Sequence, residues 1–451
     1  MKRKEKHNSD FRAFARYTSL NVMSMIGLSC YILADTYFIA NGIGADGLTA
    51  LNLAIPIYSF INGIGLMLGV GGATRYAVFR AQGKEEEGTK IFMNMIYGAG
   101  IFAALFMAAG LFGAGRLAEI LGADFRTYEM TAVYLKVILL FSPAFILNNI
   151  INCFVRNDGN PGLSMLAMLS GSFANIFMDY IFIFPMNLGI FGAVLATGFA
   201  PLVGLLILSW HFVKKRNGFF FKKIRPEAGK LLPCISIGMP ALVTEVSAGL
   251  VMILYNILIL GIAGNVGVAA YGIIANIVLV ILSIYNGIGQ GMQPVISDAY
   301  GKGRRESTGK ILKYGMMTML VLSVLVYFLL FIRADAVAML FNRDKDPVLQ
   351  QIAIKGIRIY FAAIPFAGFN ILLSSYFSSM EKALPAQVLS WLRGIIFVVP
   401  SVFIMAYLWE LEGVWFSFLA IEMLTAGIGL RFLLKKNRMK ETKQGEEKNV
   451  F

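Results

Sequence analysis

The sequence predicts an all-α polytopic membrane protein with twelve transmembrane helices arranged as two pseudo-symmetric six-helix bundles. Three observations predict it. First, 57% of the 451 residues are apolar and only 15% charged, against about a quarter charged in an ordinary soluble domain. A spanning helix takes roughly 20 apolar residues, so this apolar content is enough for a dozen. Second, the apolar residues come in long runs with the charges between them. Third, the first half of the chain repeats in the second.

The runs fall at about 15–40, 47–79, 91–113, 131–154, 163–184, 190–213, 234–260, 268–299, 311–332, 355–379, 386–408 and 413–434, with charged or Gly/Pro/Asn-containing breaks between them. The first follows a basic segment but is too long for a signal-peptide core and has no small-residue cleavage site after it, so it reads as a retained span. In the repeat, Gly47 to Gly65 aligns without a gap on Tyr271 to Gly289, placing Asn52 on Asn276 and Asn62-Gly63-Ile64-Gly65 on Asn286-Gly287-Ile288-Gly289. Gly83-Lys84 recurs as Gly301-Lys302, and PAFILNNI (143–150) as PFAGFNIL (365–372). Each half thus holds six spans. An even number sends both halves in from the same side, which makes the repeat parallel. The predicted units are an N-terminal lobe (1–212), a basic linker (213–232), a C-terminal lobe (233–436) and a charged tail (437–451).

Net charge is +14, and its placement argues against nucleic acid as a partner. Both termini and the linker, with Lys214, Lys215, Arg216, Lys222, Lys223 and Arg225, share the side that collects most Lys and Arg. The other side holds Arg116, Arg126, Lys136, Arg333, Arg343, Lys345, Lys355 and Arg358. Cytoplasmic loops carry the excess, so both termini are expected in the cytoplasm and the protein in the cell membrane. Cys30, Cys153 and Cys234 lie in or beside apolar runs and read as small core residues rather than a disulfide framework. His7 and His211 leave no material for a histidine metal site or a Ser/His/Asp triad. The glycine runs at 69–72 and 287–291 sit inside apolar helices, not in phosphate-binding loops. They read as close-packing positions, and no ATP site is expected.

Ionisable groups inside spans are costly and usually functional; here they are Asp35, Asp179, Glu245, Arg393 and Glu422. Asp35 lies roughly 9 Å in from the outer end of span 1. Spans 5 and 6 form a hairpin through a short outer turn, which puts Asp179 and Thr197 at the same depth. Asn175 shares a helix face with Asp179. If these helices are neighbours, Asp35, Asn175, Asp179 and Thr197 make one oxygen-rich cluster. Two carboxyls there disfavour each other's charge through desolvation and repulsion, so the cluster holds a proton or chelates a cation between hard oxygens. The alternative is buried hydrogen-bonded glue that does not titrate. Glu245, near the middle of span 7, attracts a cationic substrate or an ion, or else bridges backbone freed by Pro240. Arg393 and Glu422 can reach each other if spans 11 and 12 pack together, as a structural ion pair. The 36 Phe and 23 Met suit a pliable binding surface or simply face lipid. Asn148, Asn152, Asn276, Gln290 and Gln293 line a pore or bond between helices.

Two similar bundles around a cleft suit alternating access by a solute transporter, and the energy must come from an ion gradient. An intramembrane aspartyl enzyme would have only the Asp35/Asp179 pair, which sits in no recognisable catalytic motif. The run Asp35-Thr36-Tyr37-Phe38-Ile39-Ala40, the Asn175-to-Asp179 segment with Gly189 to Thr197, and Gly289-Gln290-Gly291-Met292-Gln293-Pro294 resemble the multidrug and toxic compound extrusion (MATE) transporters. The resemblance covers nearly the whole chain. It implies antiport of organic cations and drugs against protons or sodium ions by a monomer without a cofactor or catalytic metal. It also implies that Asp35, Asn175, Asp179 and Thr197 match the family's coupling-site positions and Glu245 the acidic position of span 7. Two features depart from the pattern. Span 1 reads Ser19-Leu20-Asn21 where many relatives have an early proline, and 360–379 lacks the acid of some sodium-coupled members. A flippase of lipids or lipid-linked sugars in the same superfamily is the competing reading; its relatives often have fourteen spans and cationic cavities.

Overall fold

The computed structural model describes the backbone of residues 2–342 and 345–448 and the side chains of residues 9–342 and 345–435. Arg343, His7 and the charged side chains of residues 2–8 and 436–451 lie outside the described side chains. The described chain is helical almost throughout. Lipid offers no hydrogen-bond partner, so each spanning segment must satisfy its own backbone.

Span 1 is one helix, Lys2–Gly42, longer than its apolar run because the polar residues before it are good helix formers. Span 2 is Ala45–Ala81 and span 3 is Glu85–Ile120. Span 4 is a pair of helices, Tyr128–Leu140 and Ser142–Asn157, bent by 46° at Phe141, where Pro143 opens the second helix and cannot donate back into the first. Spans 5 and 6 are Pro161–Ile183 and Gly189–Val213.

The helix Ala228–Gly301 holds two spans. Gly264, at φ 62° and ψ −159°, reverses the chain, and the rings of Tyr255 and Tyr271 stack 5.4 Å apart. In a straight helix they would be about 24 Å apart. Residues before Gly264 form span 7 and those after it span 8. Span 9 is Arg305–Ile332 and span 10 is Pro347–Ser379. Spans 11 and 12 divide Ala383–Lys435 at Trp409 and Glu410, whose backbones leave the helical region. A π-helical turn at Leu392–Ile396 interrupts span 11 and carries Arg393. The twelve spans are thus in place.

Three local features were not legible in the hydropathy. A short helix, Ala334–Phe341, sits between spans 9 and 10. Cys30 is exposed rather than part of the core, because its face of span 1 points away from the bundle, whereas Cys153 and Cys234 are buried. The basic segment before Ala228 is no simple solvated linker: Phe219 is fully buried among Tyr76, Phe92, Phe154 and Phe212. The neighbouring Gly218 N–H donates to Asp158 at 2.7 Å.

The lobes meet where spans 2 and 7 cross and where spans 1 and 8 cross, and glycine sets both distances. A Cβ on Gly71 would stand 1.9 Å from the carbonyl oxygen of Cys234, and one on Gly238 would stand 1.9 Å from that of Met67. A Cβ on Gly287 would stand 2.8 Å from the Cα of Val22, and one on Gly291 would stand 2.5 Å from that of Thr18. Small residues let membrane helices approach this closely. Gly71→Ala is therefore expected to lower the melting temperature in detergent by several degrees, the overpacking cost being about 1–3 kcal/mol. Gly100→Ala, with open space at its Cβ, should leave it unchanged; equal effects from the two variants would contradict this packing.

Candidate functional site

Asp35 on span 1, Asn175 and Asp179 on span 5 and Thr197 on span 6 are all buried and come together. The Asp35 and Asp179 carboxyls interact with each other; a hydrogen bond between two carboxyls needs a proton on one of them. The Asn175 amide, with its nitrogen turned to Asp179, donates to Asp179 Oδ2 at 3.0 Å and accepts from the Thr197 N–H at 3.2 Å. The Thr197 hydroxyl donates to the Ala193 carbonyl at 3.2 Å. One oxygen of each carboxyl, Oδ1, has no donor.

Three tyrosines that sequence reasoning missed extend the cluster. Tyr31 and Tyr58 share a hydroxyl–hydroxyl bond of 2.9 Å between spans 1 and 2. Tyr134 of span 4 lies beside Thr197 and within electrostatic reach of both aspartates. Tyr58 likewise sits in the field of Asp35 and of Glu245, so phenols connect two acidic sites. Tyrosines in apolar runs resemble interface anchors, and nothing local in the sequence marks these three as inward-facing.

Glu245 faces the other lobe. Its Oε2 accepts from Asn62 Nδ2 of span 2 at 3.3 Å, and Asn62 Oδ1 accepts from Asn149 Nδ2 of span 4 at 2.7 Å. The carbonyl that Pro240 frees, that of Ser236, accepts from Gln387 Nε2 at 2.7 Å, so Glu245 does not serve the backbone there. Arg393 donates to Glu422 Oε1 from Nη2 at 2.7 Å and from Nε at 3.2 Å, and Glu422 Oε2 accepts from Asn370 at 2.7 Å. Span 10 thus presents an amide where an acid is lacking, and the carboxylate beside it comes from span 12.

A second polar layer lies nearer the end of the bundle that carries the 214–227 segment. Arg156 is buried; its Nη1 donates to Asn21 at 2.8 Å and across the lobe boundary to Gln290 at 3.0 Å. Gln293 bonds Thr74 at 2.9 Å and Asn157 at 3.1 Å. Arg75 pairs with Glu381 at 3.1 Å. Gln290 and Gln293 are thus lobe-to-lobe fasteners, Asn152 bonds Ser164 within the N-terminal lobe, and Asn276 borders an apolar cavity of about 300 Å³ with Leu33 and Phe341. Asp158, buried, gathers Tyr76 (2.5 Å), His211 (2.8 Å) and Arg80 (3.0 Å).

The MatE family profile matches residues 21–181 and 222–404. The chain belongs to the MatE family. Among similar proteins are the multidrug export protein MepA of Staphylococcus saprophyticus, 27% identical over 399 residues and covering 88% of this chain and 87% of that protein, and MepA of Staphylococcus aureus strain MSSA476, 28% identical over 422 residues and 92% of each. The fold matches a crystal structure of MATE in complex with MaL6, with a TM-score of 0.89 at 23% identity over 96% of this chain and 97% of that one. It also matches an outward-facing MATE family transporter, with a TM-score of 0.88 at 24% identity over 96% of each.

In this MatE chain Glu422 is neutralised within its own lobe. Arg393→Met should strand a buried carboxylate and cost about 3–5 kcal/mol, read as a large fall in melting temperature, with most of it regained in the Arg393→Met/Glu422→Leu double variant. A double variant no more stable than the single one would rule out this pairing as the cause.

Proposed function

We propose that the protein is a secondary multidrug efflux transporter, exporting organic cations and amphipathic drugs by antiport with protons through alternating access. The observation that carries the reading is the buried approach of Asp35 to Asp179, whose two carboxyls a shared proton would bridge. Taking up that proton from outside lowers the pair's charge from −2 to −1, and releasing it to the cytoplasm restores it. The relatives named as multidrug export proteins support the substrate class.

Span 1 couples the pair to the lobe boundary. Asp35 and Asn21 are fourteen residues apart on this one helix, about four turns, and therefore near one face. Asn21 accepts from Arg156, whose next partner, Gln290, is in the other lobe. Thr18 and Val22 of the same helix press on Gly291 and Gly287. A shift of span 1 that accompanies protonation therefore strains this fastening directly. In the orientation set by the basic loops, with both termini and the linker cytoplasmic, the layer of Arg156, Asn157, Gln290 and Gln293 closes the cytoplasmic side.

Sodium is the second reading, since two carboxylates near Asn and Thr oxygens also suit a hard cation. A flippase is less well supported, because the groups facing the lobe boundary at mid-depth are Glu245 and amides rather than cations.

Asp35→Asn and Asp179→Asn are each expected to abolish active efflux of a fluorescent organic cation while expression stays near normal, because the amide keeps the shape and loses the titration. Asn175→Ala and Thr197→Ala should reduce efflux less. Wild-type efflux by both Asn variants would sink the coupling role. In proteoliposomes, a pH gradient without sodium should drive transport; transport driven by a sodium gradient at equal pH, and not by a pH gradient alone, would reassign the cluster to sodium. Glu245→Gln should weaken binding of cations while sparing neutral substrates.

A further inference from the structure

We infer that Asn62, pinned by Asn149, is a specificity-determining cap on Glu245, and that a cationic substrate binds by displacing its amide. The inference rests on the proposed role of Glu245 in attracting cations. Asn62 has one oxygen and one nitrogen to place. The 2.7 Å bond from Asn149 takes the oxygen, which turns the nitrogen toward Glu245. The resulting bond to the carboxylate is long at 3.3 Å, whereas charge-assisted N–H···O bonds close to about 2.7–2.9 Å. The cap is held firmly by its own lobe and loosely by the acid it covers.

Access sets this group apart from the aspartate pair. Asn175 and Asp179 are fully enclosed, whereas Asn62, Asn149 and Glu245 are each only partly buried, so a ligand in the cleft can reach them. The backbone fixes the spacing: Gly63, next to Asn62, lies against Leu242 and the Cβ of Glu245, and a Cβ added there would stand 2.7 Å and 3.4 Å from them. The cap and its acid therefore belong to different lobes and are held at one separation by packing rather than by side-chain reach.

The chemistry then discriminates. An ammonium or amidinium brings a full positive charge and two or more donors to the carboxylate, and outcompetes a single long amide bond. A neutral substrate has no such advantage and leaves the cap in place. Displacement also removes a bond between the lobes, so cation binding loosens the boundary while neutral binding does not. The amide thus sets a threshold that only cations pass easily.

The test is equilibrium binding of ethidium, as the cation, and Nile red, as the neutral dye, to full-length purified protein. Asn62→Ala should tighten ethidium about 3- to 10-fold, the range expected for removal of one competing hydrogen bond, and leave Nile red unchanged. Asn62→Gln, which retains an amide, should stay close to wild type. In a Glu245→Gln background the effect of Asn62→Ala should vanish. Weaker ethidium binding, equal changes for both dyes, or an undiminished effect in the Glu245→Gln background would overturn the cap. Ethidium binding unchanged by Glu245→Gln alone would instead overturn the underlying role of Glu245. Should Asn62→Ala not fold, Asn149→Ala frees the same amide from the other end; it should tighten ethidium more modestly, and no change there counts against the proposal.

Discussion

A bilayer supplies no hydrogen-bond partners, and the molecule is organised around that scarcity. Each span satisfies its backbone internally, and each buried polar side chain must find its partner on another helix. This is why the chain concentrates its interior polarity in a few compact groups. Close helix approach then becomes essential, and glycine at positions such as Gly71, Gly238, Gly287 and Gly291 provides it.

The two lobes resolve the same demand differently. In the C-terminal lobe Glu422 is met by a guanidinium and an amide, Arg393 and Asn370, so its charge is balanced inside the lobe. In the N-terminal lobe Asp35 and Asp179 face each other with no basic side chain among their bonded partners, and each keeps an oxygen without a donor. A carboxylate met by a guanidinium has its charge balanced, whereas two buried carboxyls facing each other disfavour each other's charge. The repeat has therefore diverged in chemistry while the helices kept their arrangement, and the unbalanced pair sits on the span that also reaches the lobe boundary.

The lobe boundary itself has two characters. Toward the 214–227 segment it is fastened by the Arg75–Glu381 ion pair and by amides around the buried Arg156, with Thr74 and Asn157 on one lobe and Gln290 and Gln293 on the other. At mid-depth it holds a single carboxylate, Glu245, beneath Asn62. Amide networks of this kind exchange partners at modest cost compared with charge pairs.

Hydropathy, charge placement and the internal repeat were enough to determine the helical class, the twelve spans and the doubling of the lobes, because each depends on long-range averages over many residues. Depth along a helix is also linear in sequence, so the common level of Asp35, Asp179 and Thr197 was readable from counting residues to the nearest turn. Which helices touch is not linear. Tyr31, Tyr58 and Tyr134 look like any aromatic in an apolar run until spans 1, 2 and 4 are placed side by side, and Asn62 looks like a repeat marker until span 7 brings Glu245 to it. Arg156 and Asp158 stand at the end of an apolar run in the sequence, yet packing buries both. The exposed face of Cys30, the π-helical turn under Arg393 and the burial of Phe219 were settled the same way, by contacts between residues far apart in the chain. Composition and periodicity decide what enters the membrane; only the packing of one helix on another decides which polar groups meet there.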